Sequence, residues 1–397
     1  MLKESTCLML FLRANLSAEL SALCYLHQNW RCQSFNLNTE VHVMTSRERV
    51  LTALAREQPD HVPVDYSANA GIDHRLKSYF GLAMDDHEGL LQKLGVDFRG
   101  VYPQYIGPKL HADIPERGVH VDDWGIHRVW VEHPSGGYWD YCDFPLQYAT
   151  EDEIAAWPLP SPDNYDYSSI ADSCKKLGSL ALYIGGAGIA DIINCNGMLR
   201  TMEQTLVDLV TDEPAGLLLA RRRLNIQLET LRRTLEAAQG RVDFIMMGED
   251  LGTQRGPIIS LELYRRCIRP LHQQVVDLAK CYGIPVMVHT CGSSSWVYED
   301  FIAMGVTAVD TLQPEAVNMS PAYLKQTFGG RLAFHGCIST AGPVAYGTVA
   351  DVVADCHKTL EIMKPGGGYC FAPTHSLQDN SPTENVIAMY DTARQYG

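Results

Sequence analysis

The sequence predicts an α/β fold: a (β/α)8 TIM barrel with a β-hairpin insertion between strands 2 and 3. Three observations predict it. Short apolar runs recur, each followed by a polar or glycine-rich tip and then a helical pattern, the beat of a parallel sheet with helical crossovers. About eight such units can be counted, the number that closes a barrel. One interval, about 105–179, is too long for a plain loop and instead alternates as strands do.

Composition narrows the class. The chain has 397 residues, 46% of them hydrophobic, enough for a large core. A net charge of -15 argues against nucleic acid and anionic membranes as main partners. The 12 cysteines are scattered and include no Cys-x-x-Cys pair, which indicates a reducing compartment and hence the cytoplasm. No apolar run approaches the roughly 18–20 residues that span a bilayer.

Residues 1–44 read as a poorly ordered extension, because Arg13 and Glu19 interrupt their apolar stretch and no small-residue cleavage site follows. Met44 stands as an alternative start. The barrel domain is read as 45–397. It opens with Thr45, which caps a helix, and Glu48, which completes a capping box. That helix runs to about Gln58, before Pro59 and Asp60.

The strand-like runs are 62–66, 96–101, 180–184, 242–247, 284–288, 306–312, 332–334 and 368–371. Helical spacing marks 215–236, 261–282, 349–363 and 383–396. Within the insertion, Val119–Gly125 and Arg128–Glu132 alternate, Pro134-Ser135-Gly136-Gly137 reads as a turn, and Tyr138 to Tyr141 alternate again. The insertion is a candidate lid or lateral cover. Among the glycine-rich tips, Gly185-Gly186-Ala187-Gly188 follows a strand and could admit a ligand closely, but it is no phosphate fingerprint.

Each strand end can be asked what it delivers. The fifth run ends in His289-Thr290-Cys291-Gly292. Residues i and i+2 of a strand share a face, so an imidazole and a thiol stand together, both good zinc ligands. The seventh run carries His335-Gly336-Cys337, where an inward Cys337 implies an inward His335. The eighth leads to Thr374-His375, and the fourth ends in Glu249-Asp250. Two adjacent carboxylates at a strand end are costly in a dry site without a cation or donor. The plain alternative has Asp250 capping a turn and Glu249 paired with Arg255. Ligands drawn from several strands, with one position open, point to a catalytic rather than a structural zinc.

With these residues in view, the chain from Thr45 to Gly397 resembles the uroporphyrinogen decarboxylase superfamily. The resemblance is carried by 48–54 with Pro59-Asp60-His61-Val62-Pro63, by 248–256, by His289-Thr290-Cys291-Gly292, and by 366–375 with Pro382-Thr383-Glu384-Asn385-Val386. It implies a (β/α)8 barrel. The arginine-rich segment of true decarboxylases is absent: Asp65-Tyr66-Ser67-Ala68-Asn69-Ala70-Gly71 stands there, with no arginine before Arg75. The chain looks closer to the corrinoid-dependent methyltransferases, relatives of the methylcobalamin:coenzyme M enzymes. Those bind zinc through a His-x-Cys pair, matched by His289 and Cys291, and a later cysteine, where this chain has Thr374-His375.

The resemblance therefore implies a zinc-dependent methyltransferase. Zinc would be held by His289, Cys291 and either Cys337 or His375, with Glu249 or Asp250 as a further ligand or an orienting group. It would move a methyl group between a corrinoid (methylcobalamin) on a separate carrier protein and a small-molecule acceptor, a thiol or a folate. The family also suggests a homodimer. The alternative is decarboxylation of a tetrapyrrole or smaller acid, with His375 and Asp250 positioning or protonating the substrate. A non-enzymatic metal- or corrinoid-binding role is the third reading.

Overall fold

The computed structural model describes residues 43–133 and 136–397. The extension read at 1–44 lies outside the described residues except for its last two positions, as do Pro134 and Ser135 of the expected turn.

The first helix, Ser46–Leu54, begins as its sequence requires. The Thr45 side chain accepts the Glu48 backbone N–H, and the Glu48 carboxylate accepts the Thr45 N–H at 2.8 Å. It stops earlier than the expected Gln58, and Arg56 then takes a left-handed φ of 63°.

The next extended segment, read as the first strand, makes only a single parallel bridge, Val64 to Phe371. Pro63 has no N–H to give a ladder. The segment is nevertheless bonded on both sides. Asp65 N–H donates to Phe371 O and Phe371 N–H to Pro63 O, while Asp97 N–H donates to Val64 O.

Strand β1 (Phe98–Gly100) follows, and the chain then leaves the main sheet. β2 (Gln104–Tyr105) pairs antiparallel with β6 (Tyr165–Asp166). Between them β3 (Val119–Val121), β4 (His127–His133) and β5 (Gly136–Tyr141) form a three-stranded antiparallel sheet. Ile126, Leu146 and Ile154 of this stretch pack on Leu199, Ala215 and Leu219, on the flank of the helix Pro214–Ala238.

The chain returns through β7 (Ala181–Gly185), β8 (Phe244–Gly248), β9 (Val286–Thr290), β10 (Ala308–Thr311), β11 (Ala333–Ile338) and β12 (Tyr369–Pro373). The main sheet is a curled parallel sheet of seven strands in the order β1-β7-β8-β9-β10-β11-β12. With the 63–65 segment bonded to β12 on one side and to the start of β1 on the other, this arrangement is compatible with a TIM-like barrel. The helix expected over 261–282 is broken: a wide turn over Tyr264–Ile268 precedes Arg269–Tyr282, where Pro270 lacks the N–H an unbroken helix needs. Among the described residues, no helix is long and apolar enough to cross a membrane.

One inward residue from each of the seven strands forms a plug: Phe98, Ala181, Phe244, Met287, Ala308, Ala333 and Cys370, closed from below by Val50, Ala53 and Leu54 of the first helix. Strand alternation then places the next inward side chains two residues further on. These are Tyr183, Met246, His289, Asp310, His335 and Ala372, and all six line a cavity of about 280 Å³. The same step along each strand thus separates a dry core from a polar chamber at the carboxyl ends, where barrel chemistry resides.

Candidate metal centre

His289 is the last residue but one of β9 and lines the cavity, and Cys291 follows just past the strand. Cys291 Sγ lies 3.6 Å from His289 Nε2. From the neighbouring strand end, Asp250 Oδ1 lies 4.0 Å from the same nitrogen. One ligand atom from each of Asp250, His289 and Cys291 falls within 4.8 Å of the others, the one such group of three or more among the described residues. Asp250 is aimed by two donors: the Cys291 backbone N–H at 2.8 Å and Asn194 Nδ2 at 3.0 Å. Gly292 permits the turn that follows, at φ 70° with the Gly252 backbone close against it.

A line of side chains supports His289. Its Nδ1 lies 2.6 Å from Asp310 Oδ2, and the other Asp310 oxygen lies 2.6 Å from His335 Nδ1. His335 Nε2 reaches Asp65 Oδ2 at 3.1 Å. The register explains the row, because Asp310 is the direct partner of His289 across β9 and β10 and of His335 across β10 and β11. Burial lowers the affinity of His335 for its proton, but the carboxylates of Asp310 and Asp65 outweigh it and push the pKa up to about 10. Burial acts the same way on His289, and its bonds to Asp310 and Cys291 raise it well above the usual histidine range. Burial raises Asp310, yet the two imidazoles hold its carboxyl far below the ordinary value.

Cys337 is not part of the group. Gly336 and Cys337 both take positive φ, 118° and 69°, so strand alternation fails at this point. His335 faces the cavity, while the Cys337 thiol is buried and lines a different cavity with Pro321, Ser339 and Thr359. Burial alone pushes this thiol strongly up, so it stays protonated and is a poor ligand. His375 lines the cavity but is exposed, and it does not join the three-residue group.

Glu249 also departs from expectation. It is fully buried, does not line the cavity, and accepts the backbone N–H groups of Ile192 and Ile193 at 2.9 Å each. It makes no pair with Arg255. Burial raises its pKa to about 8, although the two N–H groups oppose this. His272, 3.5 Å away, is driven by burial down to about 4. This carboxyl ties the start of the helix Ile193–Arg200 to the end of β8 and does not line the cavity.

Asp310 and Asp65 went unread in the sequence. A carboxylate inside the apolar run Val306-Thr307-Ala308-Val309-Asp310-Thr311-Leu312 was the available signal. Among the described residues, none from 105–179 lines this cavity.

Residues 169–396, more than half the chain, match the family model described as uroporphyrinogen decarboxylase (URO-D). No curated protein matches the sequence. Among solved structures, a methyltransferase from Methanosarcina mazei is similar over 89% of this chain and 99% of that one, at 18% identity and a TM-score of 0.56. That likeness concerns the fold. The 3-keto-D-glucoside 4-epimerase YcjR from E. coli covers 58% of this chain and 86% of its own, at 13% identity and a TM-score of 0.36, too distant to bear on the site.

Proposed function

The chain belongs to the uroporphyrinogen decarboxylase family, and from that premise we propose that it is a zinc-dependent methyltransferase. It moves a methyl group between a corrinoid on a separate carrier protein and a small-molecule acceptor, a thiol or a folate. The observation that carries this reading is the convergence of one ligand atom each from Asp250, His289 and Cys291, with His289 also lining the cavity.

The donor set suits zinc: one imidazole nitrogen, one thiol and one carboxylate oxygen, which leaves a fourth position of a tetrahedral site open. Bound there, zinc would supply a Lewis acid that favours the deprotonated form of an acceptor thiol, with the methyl group coming from the carrier's corrinoid. The chain's own residues prepare this. Asp310 holds the Nδ1 side of His289, so that Nε2 is the nitrogen turned toward Cys291 and Asp250. The Cys291 N–H and Asn194 fix the Asp250 carboxylate. The third ligand in this reading is Asp250, in place of Cys337 or His375.

The remaining proposals follow from this one. Residues 45–397 act as one closed (β/α)8 catalytic domain with 105–179 as its insertion. The enzyme works in the cytoplasm, where Cys291 stays reduced, and pairs as a homodimer. A tetrapyrrole decarboxylase needs cations to hold its substrate's carboxylates, and among the described residues no lysine or arginine lines the cavity. The test is metal content by mass spectrometry together with methyl transfer from methylcobalamin. Zinc in the wild type, lost in Cys291→Ala along with transfer, supports the proposal. A metal-free wild type purified without chelators, or anaerobic turnover of uroporphyrinogen, overturns it.

A further inference from the structure

The cavity has a lining of its own, beyond what a metal centre requires. Its titratable lining consists of carboxylates, imidazoles and tyrosines: Asp65, Asp310, His289, His335, Tyr66 and Tyr183, with His375 at the exposed edge. Asp310 is consumed by its two histidines at 2.6 Å each. Asp65 is not. One of its oxygens accepts the Tyr66 backbone N–H at 2.8 Å, the other meets His335 at 3.1 Å, and its side chain keeps 22% exposure. Each oxygen retains a lone pair for a further donor.

The carboxylates of Asp65 and Asp310 line the cavity, and among the described residues no lysine or arginine does. Such a lining disfavours an anion and favours a cation. The rings of Tyr66 and Tyr183 border the same space, and Tyr183 is held in place by stacking on Phe244 at 5.3 Å. A cation over such rings gains further attraction. The size is equally restrictive, since about 280 Å³ lies just under the roughly 300–1,000 Å³ of sites for drug-sized ligands.

We propose that the methyl acceptor is a small aminothiol, its sulfur directed to the group of Asp250, His289 and Cys291 and its ammonium received by Asp65. The proposal rests on the methyltransferase reading and names the acceptor class for it. Asp65 is then the residue that sets specificity, and the paired Asp310 and His335 form the floor between the two ends.

The test uses the full chain loaded with cobalt(II) in place of zinc, titrated with cysteamine, 2-mercaptoethanol and 3-mercaptopropionate. Sulfur-to-cobalt charge-transfer absorbance reads binding directly, apart from turnover. The wild type is expected to bind cysteamine at least about tenfold more tightly than 3-mercaptopropionate, a preference of about 1.4 kcal/mol, with 2-mercaptoethanol between. Asp65→Asn abolishes that order while keeping the cobalt spectrum, and Asp65→Glu restores it. Equal binding of the three thiols by metal-loaded wild type, or an order unchanged in Asp65→Asn, overturns the aminothiol assignment and leaves the metal centre standing. A wild type that takes up neither zinc nor cobalt overturns both.

Discussion

Asp310 stands in register between His289 and His335, and each of its carboxylate oxygens lies 2.6 Å from one imidazole nitrogen. Thr311 Oγ1, 3.0 Å from His289 Nδ1, closes the same side of the ring. A ligand histidine braced in this way keeps its free nitrogen oriented and basic. Asp310→Asn is therefore expected to lower zinc affinity by about 10–100-fold with the fold retained. A competition titration against a chromophoric chelator measures it, and an unchanged affinity would remove Asp310 from the account.

The three-residue group and the misdirected cysteine separate cleanly by mutation. Asp250→Ala and Cys291→Ala should each lose bound zinc. Cys337→Ala should keep it, because that thiol faces the helix layer. Its cost should be on the order of 1 kcal/mol in stability. Zinc stoichiometry beside urea denaturation distinguishes them; loss of zinc from Cys337→Ala would contradict the assigned geometry.

Stability should fall on the alkaline side in chelator-treated protein. The folded pKa of His335 is raised, so its contribution is complete below the unfolded value of about 6.5 and is lost as pH rises toward about 10. Glu249, raised to about 8, loses its contribution over an overlapping range that starts near the ordinary glutamate value. Asp310, strongly lowered, contributes above about pH 3.9 and loses that contribution as acid is added. Denaturation midpoints measured across pH should decline from pH 6.5 to 10 in wild type and decline less in His335→Gln. Parallel curves for the two would rule out this origin.

Two glycines with nearly the same φ should behave differently. A Cβ at Gly283, φ 67°, meets nothing within 4 Å, whereas one at Gly292, φ 70°, would sit 2.2 Å from the Gly252 carbonyl oxygen. Gly283→Ala should cost about 1–2 kcal/mol, the left-handed penalty alone. Gly292→Ala should cost more and also shed zinc, because backbone must move beside Cys291. Thermal melts with metal analysis report both effects, and equal melting shifts would deny the close approach.

Much of the framework could be read from the chain. Strands buried on both faces appear as unbroken apolar runs, and seven of the expected runs contain the observed β1 and β7–β12 in whole or in part. Capping residues are local, so the box at Thr45 was legible too. The pair His289 and Cys291 was legible for the same reason, since i and i+2 share a face whatever the strand's neighbours are. The 62–66 run reads as a strand by composition, but proline at 63 removes a ladder donor and leaves a single bridge.

Register and sidedness belonged to the tertiary structure alone. Asp310 lies 21 residues from His289 and 25 from His335, and Asp65 lies 270 from His335; only the alignment of parallel strands puts them in one row. The backbone takes positive φ at Gly336 and Cys337, where the Thr311 carbonyl oxygen would lie 2.3 Å from a Cβ at Gly336, and the Cys337 thiol lines a different cavity. Periodicity in a sequence tells which residues share a face while the strand stays regular. Where the strand bends, and which neighbour it meets, depends on contacts between segments that the linear pattern does not contain.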